Sequence, residues 1–485
     1  MVINPKAERN VMIMKKQCIN PYLPLYEHIP DGEPHIFENR LYVYGSHDKE
    51  DGTEFCEDDY VTYSAPLDDL SDWRYEGVIF RKAEDPCNPD QLPMYAPDVC
   101  QGPDGRYYLY YCPKFVNAIH VAVCDTPGGH YTFLGRVSYP DGTVLSDRQP
   151  YDPSVIYTGG KVYLYFGFSP CTIDIPLYRG QDFPGCSAVE LEEDMLTVKD
   201  GPYTVLPSRD YAEGTGFEPN PYFEAPSVRR INDLYYLVYS SDHTHALCYA
   251  VSNEPLRGFT YGGVIISNGD IGYNGRTEND PVMSIGNNHG GLVQVNGQWY
   301  IFYHRHTTTN MYHRQGCAER VQINEDGFIP QVCVTTSGMN PGPLSGRGTY
   351  PAVYCCNLTN GHMRLLNSIG RYRTEEDVEF PYLTAANEER YITNIREGTI
   401  IGYKYISLKE TNHISLNYRA DKDGYVKIYT DIHCREENCR GMIRLGSQEK
   451  WSVAGTNLSF QEEDLELYFR YYGEGNAELL EIILE

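Results

Sequence analysis

One short phrase recurs five times in the first 340 residues and leaves the chain few folds to adopt. It is a tyrosine-rich strand: LYVYGS around Tyr42, YYLYYC around Tyr108, VYLYFG around Tyr163, YYLVYS around Tyr236 and WYIFYH around Tyr300. The intervals are 66, 55, 73 and 64 residues, and each copy alternates aromatic or β-branched residues as a strand does. A tight-turn signal stands just upstream each time: Glu38-Asn39, Asp104-Gly105, Gly159-Gly160, Asn232-Asp233 and Asn296-Gly297. Each copy therefore reads as strand, turn, strand. Five sheet-forming repeats with few helix signatures between them predict an all-β, five-bladed β-propeller.

The strand before each turn begins with DGEPHIF, APDVCQ, YDPSVIY, EAPSVRR or HGGLVQV. A polar residue precedes the marker tyrosine by 10–12 positions in every copy: Asp31, Asp98, Asp152, Glu224 and His289. Innermost strands of a propeller line its axis, so these positions are expected to converge on one mouth of the channel. A single Asp-Pro at a strand start is ordinarily a turn residue. Five acidic or imidazole groups in register point to function, because crowded carboxylates repel unless chemistry or a cation uses them. Water attack on an acetal needs such a set. One carboxylate takes the proton from water, a second group protonates the departing oxygen, and a third carboxylate tunes the acid.

Composition narrows the ligand. With 40 Lys+Arg against 67 Asp+Glu the net charge is −27, which repels phosphate backbones and anionic lipid, so neither nucleic acid nor a membrane surface is an expected partner. A neutral, hydroxyl-rich ligand suits a chain with 44 Tyr better. The fifteen cysteines are scattered without a CxxC pair, so zinc-ligand spacing is absent. The N-terminal stretch MVINPKAERNVMIMKKQC lacks an apolar run of signal-peptide length, and no run approaches a membrane span. Reduced thiols in a cytoplasmic enzyme is the expected setting.

The ordered set PYLPLYEHIPDGEPHIF with YVYGSHD, MYAPDV, YDPSV, YFEAPSV and NNHGGLVQVNGQWYIFYHRH resembles glycoside hydrolase family 43, five-bladed propeller enzymes that cleave arabinofuranosides and xylosides with inversion. The resemblance runs from about residue 20 to 340. It implies that Asp31 is the general base, Glu224 the general acid and Asp152 the carboxylate that tunes and orients that acid. It implies Ca²⁺ near the propeller axis facing His289, although calcium's preference for oxygen makes one imidazole with waters an unusual site, and His289 also fits as a buried structural histidine. Arg314, in MYHRQGCAER, resembles the family's sugar-binding arginine, or else is an ordinary surface residue. Tyr95, Tyr151 and Phe223 adjoin the pocket residues and serve either sugar stacking or core packing. Asp98, in YAPDV, is expected to support rather than catalyse. His304 and His306 alternate on one strand with no third ligand at suitable spacing, which favours packing over a metal.

The propeller period stops after MNPGPLSGRGTYP, giving residues 1–340 as the propeller, a linker near 338–350, and 350–485 as a second unit. Its short alternating segments, among them HISLNYRA, GYVKIYTDI and EDLELYFRYY, predict a β-sandwich. GYVKIYTD with GMIRLGSQEKW resembles carbohydrate-binding modules of family 6, a jelly-roll, with Trp451 as its large stacking candidate. Asp421-Lys422-Asp423-Gly424 lacks the further ligands of a calcium loop and reads as a hairpin turn. Together these features predict an inverting, exo-acting α-L-arabinofuranosidase on arabinose-bearing oligosaccharides, with β-xylosidase as the alternative. Inversion requires carboxyl groups roughly 6.5–9.5 Å apart. Retaining fructan-hydrolysing propellers carry Arg-Asp-Pro where this chain has Tyr151-Asp152-Pro153. A sugar-binding propeller without catalysis is the remaining rival.

Overall fold

The computed structural model describes residues 17–170, 181–360 and 380–485; the N-terminal stretch 1–16 lies outside the described residues. Its sheets account for the repeat. Four sheets of four antiparallel strands and one of three form five blades, each ordered from the axis outward. Their innermost strands are Glu33–Phe37, Met94–Gln101, Ser154–Thr158, Tyr222–Ile231 and Leu292–Val295. The second strand of each blade is the tyrosine-rich phrase. In blade 2 all of Tyr107–Pro113 is buried, since both faces of a mid-blade strand meet neighbouring blades, whereas the outermost strand Thr132–Arg136 alternates with solvent.

Four of the rib phenols bond to the next blade. Tyr44 of blade 1 donates to the Pro127 carbonyl of blade 2 (2.9 Å), Tyr110 of blade 2 to Met195 of blade 3 (2.6 Å), and Tyr165 of blade 3 to Pro255 of blade 4 (2.6 Å). In every case the acceptor lies in the hairpin between the third and fourth strands. Blade 4 has Val238 at this place and uses Tyr236 instead, bonded to the Gly327 carbonyl at 3.0 Å. The ring closes through Asn296 of blade 5, whose amide donates to the Leu67 carbonyl of blade 1 at 2.7 Å. A buried phenol without such a partner would cost about 1–3 kcal/mol.

Blade 5 has three strands, Leu292–Val295, Gln298–His306 and Arg314–Val321, and the N-terminal segment runs along its open edge. There the Asn20 side chain pairs with both backbone groups of Ala318 (3.0 and 3.1 Å), and the Tyr22 N–H reaches the Gly316 carbonyl. An exposed edge is thereby covered.

The C-terminal strands form two six-stranded sheets packed as a sandwich. Its first strands, Leu344–Ser345 and Gly348–Pro351, already begin within the stretch expected to be linker. One continuous apolar core joins the sandwich to blades 4 and 5, running from Tyr236 and Ile301 through Val353 to Phe469 and Leu484. Across that junction Lys404 forms a buried ion pair with Asp270 at 3.0 Å, and Arg305 donates to the carbonyls of Val353 and Cys355. Trp451 is engaged within the sandwich: its N–H donates to Glu389, Arg419 covers its ring at 4.1 Å, and Tyr391 meets its edge. The turn at Asp421–Gly424 is not the expected hairpin: it carries the chain from His413–Ala420 in one sheet to Gly424–Tyr429 in the other, and Asp421 and Asp423 brace it by accepting backbone N–H groups of Asn476 and Ser447.

Candidate active site

Two layers of side chains cross the axis at the mouth. The deeper layer holds Glu33, Asp98, Ser154, Ser227 and Gly291, one from each innermost strand or its start. Ser227 donates to Glu33 (2.9 Å), which also takes Arg229 Nη2 at 2.7 Å, while Arg229 Nε reaches the Leu292 carbonyl. Asp98 accepts from Val155 N–H (2.8 Å) and Ser154, and meets His35 Nε2 at 2.6 Å. Val228 N–H donates to Ser154 in turn. Blade 5 contributes glycine because a Cβ on Gly291 would stand 2.5 Å from Ser227 Oγ and 2.6 Å from a Glu33 oxygen.

Above this floor stand Asp31, Asp152, Glu224 and His289, as the repeat predicts, but blade 2 presents Tyr95 and not Asp98. The reason is a β-bulge. In blade 4 Glu224 pairs with Ser240 and Ser227 with Val238, so Ala225-Pro226 inserts one extra residue. Blade 2 does the same at Ala96-Pro97, with Tyr95 opposite Cys112 and Asp98 opposite Tyr110. Tyr95 is therefore the counterpart of Glu224, and Asp98 the counterpart of Ser227. The expected convergence of Asp98 on the mouth is corrected: it is fully buried one layer down. Bulges re-aim side chains, and proline is tolerated there. Left-handed backbone does the same at Asp31 (φ 57), Asp152 (φ 49) and Ala225 (φ 64). Asp accepts this region more readily than most residues, and strain of this kind gathers at functional sites.

Asp31 is buried, its carboxylate bridged by Arg314 Nη1 at 3.1 and 3.2 Å. Its backbone N–H donates to His304 Nδ1 at 3.2 Å, while His304 Nε2 faces the Asn287 carbonyl at 2.7 Å. That pattern fixes the neutral imidazole with its proton on Nε2, and burial holds the His304 pKa well below the ordinary value. The 3.3 Å approach of His304 Nδ1 to the Asp31 carboxylate is thus no ion pair. His306 donates to the same carbonyl and is likewise held neutral by burial, at about 4. Both histidines are packing elements of blade 5.

Arg314 was expected to meet sugar hydroxyls. It is buried with its donors spread over Asp48, through Nε at 2.8 Å and Nη2 at 2.9 Å, and over Asp31, while Phe55 covers its face at 4.7 Å. Asp48, in the SHD of YVYGSHD, went unrecognised in the sequence although it lies in a quoted motif. Tyr151 and Phe223 are nearly buried, joined through Phe168 (5.9 and 5.4 Å), and Phe223 meets His245. Tyr95 is partly exposed.

Electrostatics divide the carboxyl groups. Burial raises the Glu224 pKa well above the ordinary value, with the charges of Asp152 and Asp31 adding to it and those of His289 and Arg314 opposing. Asp152 is pushed up to about 6 by burial and Asp31, against the pull of His289 and the Ala225 N–H that donates to it. Burial works against charge on His289, yet the facing Glu33 with Asp152 and Asp31 raises its pKa to about 9. Glu33 Oε1 and His289 Nε2 lie 3.4 Å apart, both buried and neither in a well-formed hydrogen bond. An oxygen and an imidazole left open on the axis suit a divalent cation, which would displace the His289 proton on binding. Among the described residues Glu33, His35 and Asp98 also stand close enough to share an ion, but His35 and Asp98 are already bonded to one another.

A carboxyl group pushed toward its neutral form beside further carboxylates in one propeller mouth is a set suited to hydrolysing glycosidic bonds. The comparisons agree. The profile of Glycosyl hydrolases family 43 matches residues 40–329, and the chain belongs to that family. A xylosidase/arabinosidase of Thermoclostridium stercorarium is 44% identical over 479 residues, covering 96% of this chain and 98% of that protein. A xylosidase/arabinosidase of Bacteroides ovatus is 30% identical over 310 residues, covering 58% and 87%. In fold, the chain is similar to the GH43_1 enzyme from Xanthomonas citri complexed with xylose (TM-score 0.52, 24% identity, 68% of this chain and 97% of that one). The protein is a glycoside hydrolase of the xylosidase/arabinosidase kind.

Proposed function

We propose that the enzyme is an inverting, exo-acting α-L-arabinofuranosidase that releases arabinose from short arabinoxylan- or arabinan-derived oligosaccharides inside the cell. The observation that carries the acid–base assignment is the raised pKa of Glu224 beside Asp152 and Asp31. In this reading Asp31, fixed by Arg314 and its own left-handed backbone, takes the proton from water as that water attacks the anomeric carbon. Glu224 gives its proton to the leaving oxygen on the opposite face, and Asp152 keeps Glu224 protonated until then. Tyr95, Tyr151 and Phe223 supply apolar wall for the sugar, and Arg314 reaches its hydroxyls only at the expense of Asp48 or Asp31.

Ca²⁺ belongs to the same proposal. Glu33 Oε1 and His289 Nε2 would hold it, with water completing its shell, and its positive charge would offset the pocket carboxylates. Added Ca²⁺ should raise the melting temperature of chelator-treated enzyme and leave Glu33→Gln unmoved; an equal rise in both would remove the assignment.

A β-xylosidase is the second reading; the double name of the 44% identical relative fits it as well as the first. Rates on the 4-nitrophenyl glycosides of α-L-arabinofuranose and β-D-xylose separate the two. The arabinofuranoside should be the faster substrate, and a faster xyloside would reverse the order.

A further inference from the structure

Phe115 combines two features that a folded chain ordinarily avoids. It is the most exposed large apolar side chain described, at 62%, and its backbone is left-handed at φ 61. Bulky residues seldom adopt that region, and an observed outlier of this kind is a reason to look for a function.

Its position supplies one. The inner strand of blade 2 enters the mouth at Met94–Tyr95, and these pair with Pro113 and Cys112. Lys114 N–H then donates to the Pro93 carbonyl at 2.8 Å, extending the ladder one step beyond Tyr95. Phe115 follows immediately, three residues past Cys112, whose thiol feels the charge of Asp152. From the other side, Lys114 is ion-paired to Glu54, and the adjacent Phe55 is the ring that covers Arg314. The Lys114 ammonium also lies 5.1 Å from the Phe115 ring centre. A short relay thus runs from the arginine on Asp31 to an open aromatic face on the rim: Arg314, Phe55, Glu54, Lys114, Phe115.

We infer that Phe115 is a stacking platform for a sugar ring on the rim of the mouth, outside the pocket that holds the terminal sugar, and so sets a preference for oligosaccharides over small glycosides. A pentose ring presents an apolar C–H face that suits an aromatic ring, and the Lys114–Glu54 pair beside it offers charged partners to ring hydroxyls. The inference rests on the hydrolase reading of the pocket.

The test uses a pentosyl trisaccharide cleaved by the wild-type enzyme, together with inhibition by the free pentose, which occupies the glycone pocket alone. Phe115→Ala should raise KM for the trisaccharide about 3- to 10-fold, with the inhibition constant of the free pentose within twofold of wild type. Phe115→Trp should restore the KM. Phe115→Gly should match Ala in KM while melting no lower than wild type, because it relieves the left-handed backbone. An unchanged KM in the alanine variant overturns the platform, as does a parallel shift of the free-pentose constant or a lowered melting temperature in the glycine variant. Absence of cleavage of every pentosyl trisaccharide by the wild-type enzyme would instead remove the exo-acting oligosaccharide reading beneath it.

Discussion

At the scale of single residues, the pocket divides labour among like groups by environment. Burial and two neighbouring carboxylates oppose charge on Glu224 and raise its pKa well above the ordinary value, and Asp152 is the first of those neighbours. With Glu224 as the proposed acid, kcat/KM should fall as pH rises through its pKa. Asp152→Asn removes a charge that raises this pKa, so the alkaline limb should move to lower pH; a limb that stays or moves upward would detach Asp152 from Glu224. Glu224→Gln should lower kcat by about 10²–10⁴ with a poor leaving group. Asp31, Asp152 and Glu224 were legible in the sequence because each is polar at the start of a strand otherwise built for burial. Asp98 was placed wrongly because counting from a marker tyrosine passes over a bulge; the shared Ala-Pro in YAPD and EAPS is the signal that aligns Tyr95 with Glu224. Ser154, Ser227 and Gly291 carried no signal of their own. Small residues become informative only when five strands meet at an axis.

The scale of the element explains the composition. The propeller was legible from the repeat, yet the preference for Tyr over Phe was not, because it depends on which hairpin of the next blade each phenol reaches. Tyr110→Phe strands the Met195 carbonyl and should cost about 1–2 kcal/mol in denaturant unfolding with unaltered catalysis. A loss near zero would reduce the inter-blade bonds to incidental contacts. The glycines of blade 5 have an equally local cause: a Cβ on Gly290 would stand 2.0 Å from the Phe302 carbonyl oxygen, so the strand beside His289 approaches its neighbour as only glycine allows.

On the scale of the whole molecule, the two units share one core, which a division drawn from linker composition could not show. Lys404 and Asp270 are buried across the junction, so Lys404→Met should leave Asp270 unpaired and cost about 3–5 kcal/mol, largely recovered by adding Asp270→Asn. Additive losses in the double variant would contradict the pairing. The sandwich also touches the rim of the mouth. Leu383 N–H donates to the Thr307 carbonyl, ahead of Arg314, and Arg390 pairs with Glu50 in the loop that carries Asp48 and Phe55. Trp451 itself is engaged by Arg419, Tyr391 and Glu389 and stays partly exposed, so what the sandwich contributes at the mouth is these bonds to the loops around Asp48 and Arg314. In the proposed mechanism three carboxylates in this mouth hydrolyse a pentoside by direct attack of water, so proton NMR of the sugar at the first instants of hydrolysis should show the inverted anomer before mutarotation. First release of the anomer of the substrate would rule direct attack out.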